Sequence, residues 1–186
     1  MIKTRVKTSA AVFTMLCLSI NLFAQQIGHT TVTFTDASRS NRQIQTEVYY
    51  PATLAGDNTP ISAGVYPLVV CGHGFVMTWD VYQNIWTALV PQGYVVAFPT
   101  TESGFAPVHS DFGLDLKFLV TNIQNNGAGA SVPASSIGNT SAIMGHSMGG
   151  GCSFLAAANN TSISTMVSFA AANTNPSSIN AAQQVS

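Results

Sequence analysis

The stretch "TSAIMGHSMGGGCSFLAAANN" (140–160) constrains this chain more than any other. An apolar run enters Gly145, Ser147 follows, then come Gly149, Gly150 and Gly151, and the chain turns Ala-rich. The run reads as a strand buried on both faces and residues 148–158 as a helix, so the serine stands at a strand-to-helix corner. Gly145-His146-Ser147-Met148-Gly149 fits G-x-S-x-G, in which glycines two before and two after the serine remove Cβ atoms that would strike the neighbouring elements. Such a corner strains the backbone and lifts the serine Oγ above the sheet edge. The helix N-terminus beneath it offers free N–H groups and the positive end of its dipole. That arrangement suits a nucleophile and the oxyanion it creates. Three glycines in a first helical turn each cost up to ~1 kcal/mol against alanine, so a purely structural reading must find its reason in close packing. A phosphate-binding reading fails on detail: no Lys follows the glycines, and the spacing is not G-x-G-x-x-G.

The residues around this corner alternate between strand and helix patterns. "TTVTFTD" (30–36) and "QIQTEVYYP" (43–51) read as hairpin strands with "ASRSN" as their turn, and "ATLAGDNTPISAG" as a loop. "VYPLVVCGHGF" (65–75) is a buried strand closed by glycines, and "YVVAFPT" (94–100) a second. Between them, residues 81–90 carry Val81, Ile85, Trp86 and Leu89 at helical spacing, with Asp80 placed to cap the start and Pro91 and Gly93 to stop it. "DFGLDLKFLVTNI" (111–123) reads as a helix with Phe112, Leu116, Leu119 and Ile123 on one side. "ISTMVSFA" (163–170) is a fourth strand. This alternation predicts a single α/β domain over 25–186, a mostly parallel sheet with helices on both faces.

The length of 186 residues, 46% apolar and only 7% charged, suits one domain with a sizeable core. A formal net charge of −1 offers no handle for nucleic acid or an anionic membrane. Residues 1–24 differ from the rest: Lys3, Arg5 and Lys7 precede an apolar stretch over 10–20, and Ala24 stands before a polar start. They read as a signal peptide for secretion or periplasmic export, since the apolar stretch is shorter than the ~20 residues of a membrane anchor. The remaining cysteines, Cys71 and Cys152, allow a disulfide, with two small buried thiols the commoner outcome.

A second feature converges on the serine. "CGHGF" (71–75) follows the first buried strand, where a serine hydrolase places its second oxyanion donor beside the N–H of the residue after the nucleophile. The backbone N–H groups of Phe75 and Met148 are the two candidates. Gly72 and Gly74 let that loop come close, and His73 reads as a residue that packs or hydrogen-bonds at the strand end.

With "VVCGHGF", "GYVVAFPTTES", "HSDFGLDLKFLV" and "GHSMGGGCSFLAAANN" in that order, the chain resembles the α/β-hydrolase superfamily. Within it the resemblance is to secreted bacterial carboxylesterases of the dienelactone-hydrolase, chlorophyllase and cutinase-like polyesterase group. The glycine-rich helix start is similar to the cutinase-like branch. The H-G-F loop and "HSDFGLDLKFL" are similar to the other two. The resemblance covers residues 43–172. It implies Ser147 as nucleophile, Gly145 and Gly149 as elbow glycines, and Phe75 and Met148 as oxyanion donors, their side chains clamping the substrate's acyl part. It further implies about eight mostly parallel strands, no metal or organic cofactor, and a small-molecule or polymeric ester as substrate.

The same resemblance fixes the chain order serine, acid, histidine. Downstream of Ser147 the sequence has no Asp, Glu or His. His29, His73, His109 and His146 all precede it, and His146 lies inside the corner, pointing away from its neighbour. His109 beside Asp111 makes an attractive pair but belongs to a helix flanking the sheet. Near "AAANTN" (170–175) only Asn173 and Asn175 are available as an acid's substitute. "SSINAAQQVS" reads as a loop leading toward a further strand, so the expectation is an N-terminal part of a longer hydrolase, with the last strands, acid and histidine beyond Ser186. The expected activity is an exported serine esterase through an acyl-enzyme. The alternatives are an inactive fragment or pseudo-hydrolase, and an acyltransferase on the same fold.

Overall fold

The computed structural model describes residues 25–185; residues 1–24, read above as an export leader, and Ser186 lie outside the described residues. Strands β1 (Gln26–Asp36) and β2 (Arg42–Ala52) form the antiparallel hairpin, in register from Gln26↔Ala52 to Asp36↔Arg42. In its turn the Asp36 carboxylate accepts the Ser38 N–H at 3.0 Å, and Ser40 and Asn41 take positive φ angles of 54° and 58°. The short β3 (Gly56–Asp57) pairs with β1. Then follow β4 (Tyr66–Gly72), α1 (Gln83–Leu89), β5 (Val95–Pro99), α2 (His109–Asn126), β6 (Ile137–His146), α3 (Met148–Ala157), β7 (Thr165–Phe169) and α4 (Ser178–Ala182).

The sheet has seven strands rather than about eight, in the order β3-β1-β2-β5-β4-β6-β7, and β5, β4, β6 and β7 are parallel. The chain steps from β4 to β5 through α1, then returns across β4 to β6 through α2. With crossovers of one hand, this reversal puts α1 on one face and α2 with α3 on the other. Alternation along β4 feeds both layers. Leu68 and Val70 pack with Phe112, Leu116, Leu119 and Ile123, while Val69 and Cys71 pack with Tyr82, Trp86 and Phe98. All four residues read as the inward side of α2 are fully buried.

Two local expectations are corrected, Asp80 as a helix cap and the terminal stretch as a loop. A 3-10 turn, Trp79–Tyr82, precedes α1, and Asp80 lies inside it, its carboxylate taking the Thr78 hydroxyl, so it caps no helix. The turn brings both Tyr82 and Trp86 into the core. The fourth strand is present as β7, and at the end of the sheet it leaves Val167 and Phe169 38% and 46% exposed. The stretch read as a terminal loop contains α4, whose Ser177 cap accepts the Asn180 N–H at 3.5 Å and which packs on α3.

Candidate active site

β4 and β6 end in step, with Gly72 and Gly145 as register partners. The loop leaving β4 and the corner leaving β6 therefore open at the same sheet edge, at the carboxyl ends of strands beside the point where the strand order reverses. At that corner Ser147 has φ 52° and ψ −114°, a conformation that costs a non-glycine residue ~1–3 kcal/mol. Three backbone hydrogen bonds hold it. The Ser147 N–H donates to the Phe169 carbonyl at 2.9 Å, and the Ser147 carbonyl accepts from Ala172 at 2.9 Å and Gly151 at 3.0 Å. The end of β7 and the segment behind it thus lock the strained residue in place.

Each glycine of the motif faces backbone or side chain where a Cβ has no room. A Cβ on Gly145 would lie 2.3 Å from the Gly149 carbonyl oxygen, and one on Gly149 2.2 Å from that of Gly72. Gly150 meets Ser168 Oγ at 2.7 Å and Gly151 the Ala172 oxygen at 2.3 Å. Close packing explains the glycine run, and the same packing seats the β4 loop against the start of α3.

Residues 74–77 form a turn closed by the Met77 N–H donating to the Gly74 carbonyl at 3.1 Å. Val76 takes φ 51° in it, strained for a β-branched residue. Among the described residues no hydrogen bond takes up the Phe75 N–H, and Phe75 is 51% exposed. Met148 opens α3, so its N–H is one of the four that a helix cannot satisfy itself. Its side chain, however, is 2% exposed and belongs to the core under α2. Of the two side chains expected to clamp the substrate, Phe75 is thus exposed and Met148 buried.

The four histidines are engaged elsewhere. His73 is buried, with Nδ1 2.9 Å from the Gly74 carbonyl, Nε2 2.8 Å from that of Thr101, and its ring 4.6 Å from Phe112. It fastens the β4 loop to the segment after β5, the packing role read from sequence. His109 accepts the Asn175 N–H at 3.1 Å, and its apparent partner Asp111 faces Arg42 Nη1 at 3.9 Å. His29, on β1 beyond three intervening strands, sits between Glu47 and Asp57, each at 2.8 Å. His146 Nδ1 lies 3.0 Å from the Tyr82 hydroxyl. Among the described residues, no histidine hydrogen-bonds the Ser147 hydroxyl.

Sequence reasoning missed two supports of the site. Tyr82 reaches Gly74 as well as His146. The fully buried Asp115 accepts from Arg39 at 2.6 Å, from Arg42 at 2.8 Å through each oxygen, and from the Thr101 hydroxyl at 2.7 Å. Glu102, at φ 60°, accepts from Arg42 and from the Val108 N–H, which closes the segment after β5. A signal existed for Asp115, a carboxylate set among the inward positions 112, 116 and 119. Cys71 and Cys152 are free, buried thiols on opposite faces of the sheet, and burial pushes both up to about 12.

Parallel strands whose order reverses at β4, with a strained serine lifted at the neighbouring strand's end, make this an α/β-hydrolase fold. Residues 23–175 match the chlorophyllase family, and the chain belongs to that family, one of the branches its H-G-F loop resembles. Among solved structures, a ferulic acid esterase from Streptomyces cinnamoneus is similar at a TM-score of 0.56 and 19% identity, over 72% of this chain and 56% of its own. This chain thus spans little more than half the length of that esterase. No curated protein matches the sequence.

Proposed function

We propose that the protein is an exported carboxylic-ester hydrolase that works through an acyl-enzyme on Ser147. The observation that carries this reading is the strained Ser147 at the end of β6 with the Phe75 loop packed against the helix it begins. Ser147 Oγ attacks the ester carbonyl carbon, and its proton passes to a general base. The Phe75 and Met148 N–H groups receive the oxyanion, and collapse expels the alcohol, which takes up the proton. Water then attacks the acyl-serine and releases the acid. Membership of the chlorophyllase family supports an ester as substrate, and the exposed Phe75 favours one with an apolar acyl part.

The base and its acid belong, in this proposal, to residues after Ser186. Two facts support that: the four histidines are bound to other groups, and β7 leaves an apolar edge to which a further strand can pair. The 186-residue stretch alone is then inactive, because an unactivated serine is a weak nucleophile.

The test expresses the protein with its downstream residues and follows hydrolysis of p-nitrophenyl butyrate, with residues 1–24 kept for a fractionation experiment. Hydrolysis in the exported fraction that Ser147→Ala abolishes is the expected result. An unchanged rate in Ser147→Ala overturns the mechanism, and retention in the cytoplasm overturns export.

A further inference from the structure

Tyr82 lies in the 3-10 turn ahead of α1, and its buried hydroxyl meets three groups, two from the 74–77 turn and one from the end of β6. The Gly74 N–H donates to it at 2.8 Å, His146 Nδ1 stands at 3.0 Å, and Met77 Sδ at 3.4 Å. A phenol has one proton and two acceptor sites. With Gly74 occupying an acceptor site, the proton goes to the imidazole nitrogen, a stronger acceptor than a thioether. Burial raises the Tyr82 pKa above the usual phenol value, so this proton stays in place through the neutral range.

The two residues so joined flank the reacting groups. Gly74 precedes Phe75, and His146 precedes Ser147. A Cβ on Gly74 would lie 2.6 Å from Met77 Sδ and 3.1 Å from His146 Nδ1, so the peptide that presents the oxyanion donor is enclosed by the same cluster. Both Val76 and Ser147 hold positive φ, and such strain persists only where surroundings over-determine it. The three bonds at Ser147 do this for the corner. Nothing comparable in the backbone does it for the loop, whose turn has a single hydrogen bond.

We infer that Tyr82 is a positioning residue of the reaction: its hydroxyl ties the oxyanion loop to the nucleophile corner and so fixes the Phe75 N–H relative to Ser147 Oγ. This rests on Ser147 and Phe75 having the roles proposed above. Removing the hydroxyl leaves the Gly74 N–H and His146 Nδ1 without their partner and frees the loop. The loss then falls on transition-state stabilisation rather than on substrate binding.

The test compares wild type, Tyr82→Phe and Ser147→Ala in the protein carrying its downstream residues, with p-nitrophenyl butyrate as substrate. Tyr82→Phe is expected to lower kcat about tenfold with KM within twofold, since even a small displacement of a catalytic group is costly. Its Gly74 amide is expected to exchange with solvent at least tenfold faster. An unchanged kcat beside an inactive Ser147→Ala overturns the Tyr82 role alone, whereas a fully active Ser147→Ala overturns the reading beneath it. If Tyr82→Phe fails to fold, nitrogen shifts and amide exchange in the wild type decide. Neutral His146 is expected to carry its proton on Nε2 and the Gly74 amide to be protected. A proton on Nδ1, or a Gly74 amide exchanging as freely as an exposed one, overturns the inference.

Discussion

Gly149 lies against Gly72: a methyl group on Gly149 would stand 2.2 Å from the Gly72 carbonyl oxygen, and one on Gly72 would stand 3.1 Å from Gly149 Cα. Gly72 ends β4 and Gly149 lies in the first turn of α3. With Gly72 and Gly145 already in register across the sheet, this contact closes a triangle of backbone around Ser147. The base of the oxyanion loop and the first turn of α3 meet main chain to main chain here, and only glycine permits so close an approach.

Gly149→Ala therefore has nowhere to put its methyl group, because the obstructing atoms are backbone. It should lose about 3 kcal/mol, at the upper end of overpacking costs, which lowers Tm by roughly 6–12 °C in a chain of this size. Gly104→Ala is the control, with nothing within 4 Å of its new Cβ, and should stay within about 2 °C of wild type. Thermal unfolding followed by circular dichroism distinguishes them, and equal Tm values would remove close packing as the reason for the glycine.

Ser147→Gly should stabilise the fold while ending hydrolysis. At φ 52° and ψ −114° a serine carries strain of ~1–3 kcal/mol that glycine does not, less ~0.5–1 kcal/mol for the freer unfolded chain. A net gain of about 1 kcal/mol, near the middle of the difference between those ranges, corresponds to a Tm rise of roughly 2–4 °C. Ser147→Ala keeps the Cβ and the strain, so it should show no such rise. Identical Tm values for the two variants would mean that the corner is not strained.

The features legible in the sequence are those written in local pattern. The buried strands, the inward side of α2, and the corner at Ser147 follow from apolar periodicity and glycine placement, and the structure has all of them. Asp80 misled because a polar residue before an apolar run looks like a cap, whereas the need to bury Tyr82 as well as Trp86 tightens that turn into a 3-10 segment. α4 was missed because "SINAA" is too short to show a period. Met148, for which the resemblance implies a substrate contact, is buried with the residues of α2, a packing that the local pattern does not show. The contacts of Tyr82 and Asp115 join residues distant in sequence, and no local pattern encodes them.

Cys71 and Cys152 should be silent toward thiol reagents in the native state. With burial pushing both up to about 12, about one thiol in ten thousand is ionised at pH 8, and the thiolate is the reactive form. Dithionitrobenzoate should register both groups only after denaturation. Folded values raised above the unfolded 9.0 mean that the native state holds more protons in alkali. Their contribution is therefore complete below about pH 9 and is lost as pH rises toward 12. Tyr49, Tyr50 and Tyr82, also raised by burial, act in the same direction. Urea midpoints that do not fall between pH 9 and pH 11 would contradict this.

Asp115→Ala should be the most damaging change remote from Ser147. It removes a fully buried carboxylate that accepts four hydrogen bonds and leaves Arg39 with Asp36 and Arg42 with Glu102 as remaining partners, a loss of about 3 kcal/mol, the low end for breaking a buried pair. The damage should also reach the site. Asp115 holds Thr101 through its hydroxyl, and the Thr101 carbonyl faces His73 Nε2 at 2.8 Å in the loop that presents Phe75. Urea unfolding of Asp115→Ala, Arg42→Ala and the double variant measures the pair directly. The double variant should be more stable than the sum of the two losses predicts, by about 1–3 kcal/mol, because the two bonds that Arg42 makes to Asp115 are lost only once. Strict additivity would show that Arg42 and Asp115 stabilise the fold independently, and the route from α2 to the oxyanion loop would then have to run through Thr101 alone.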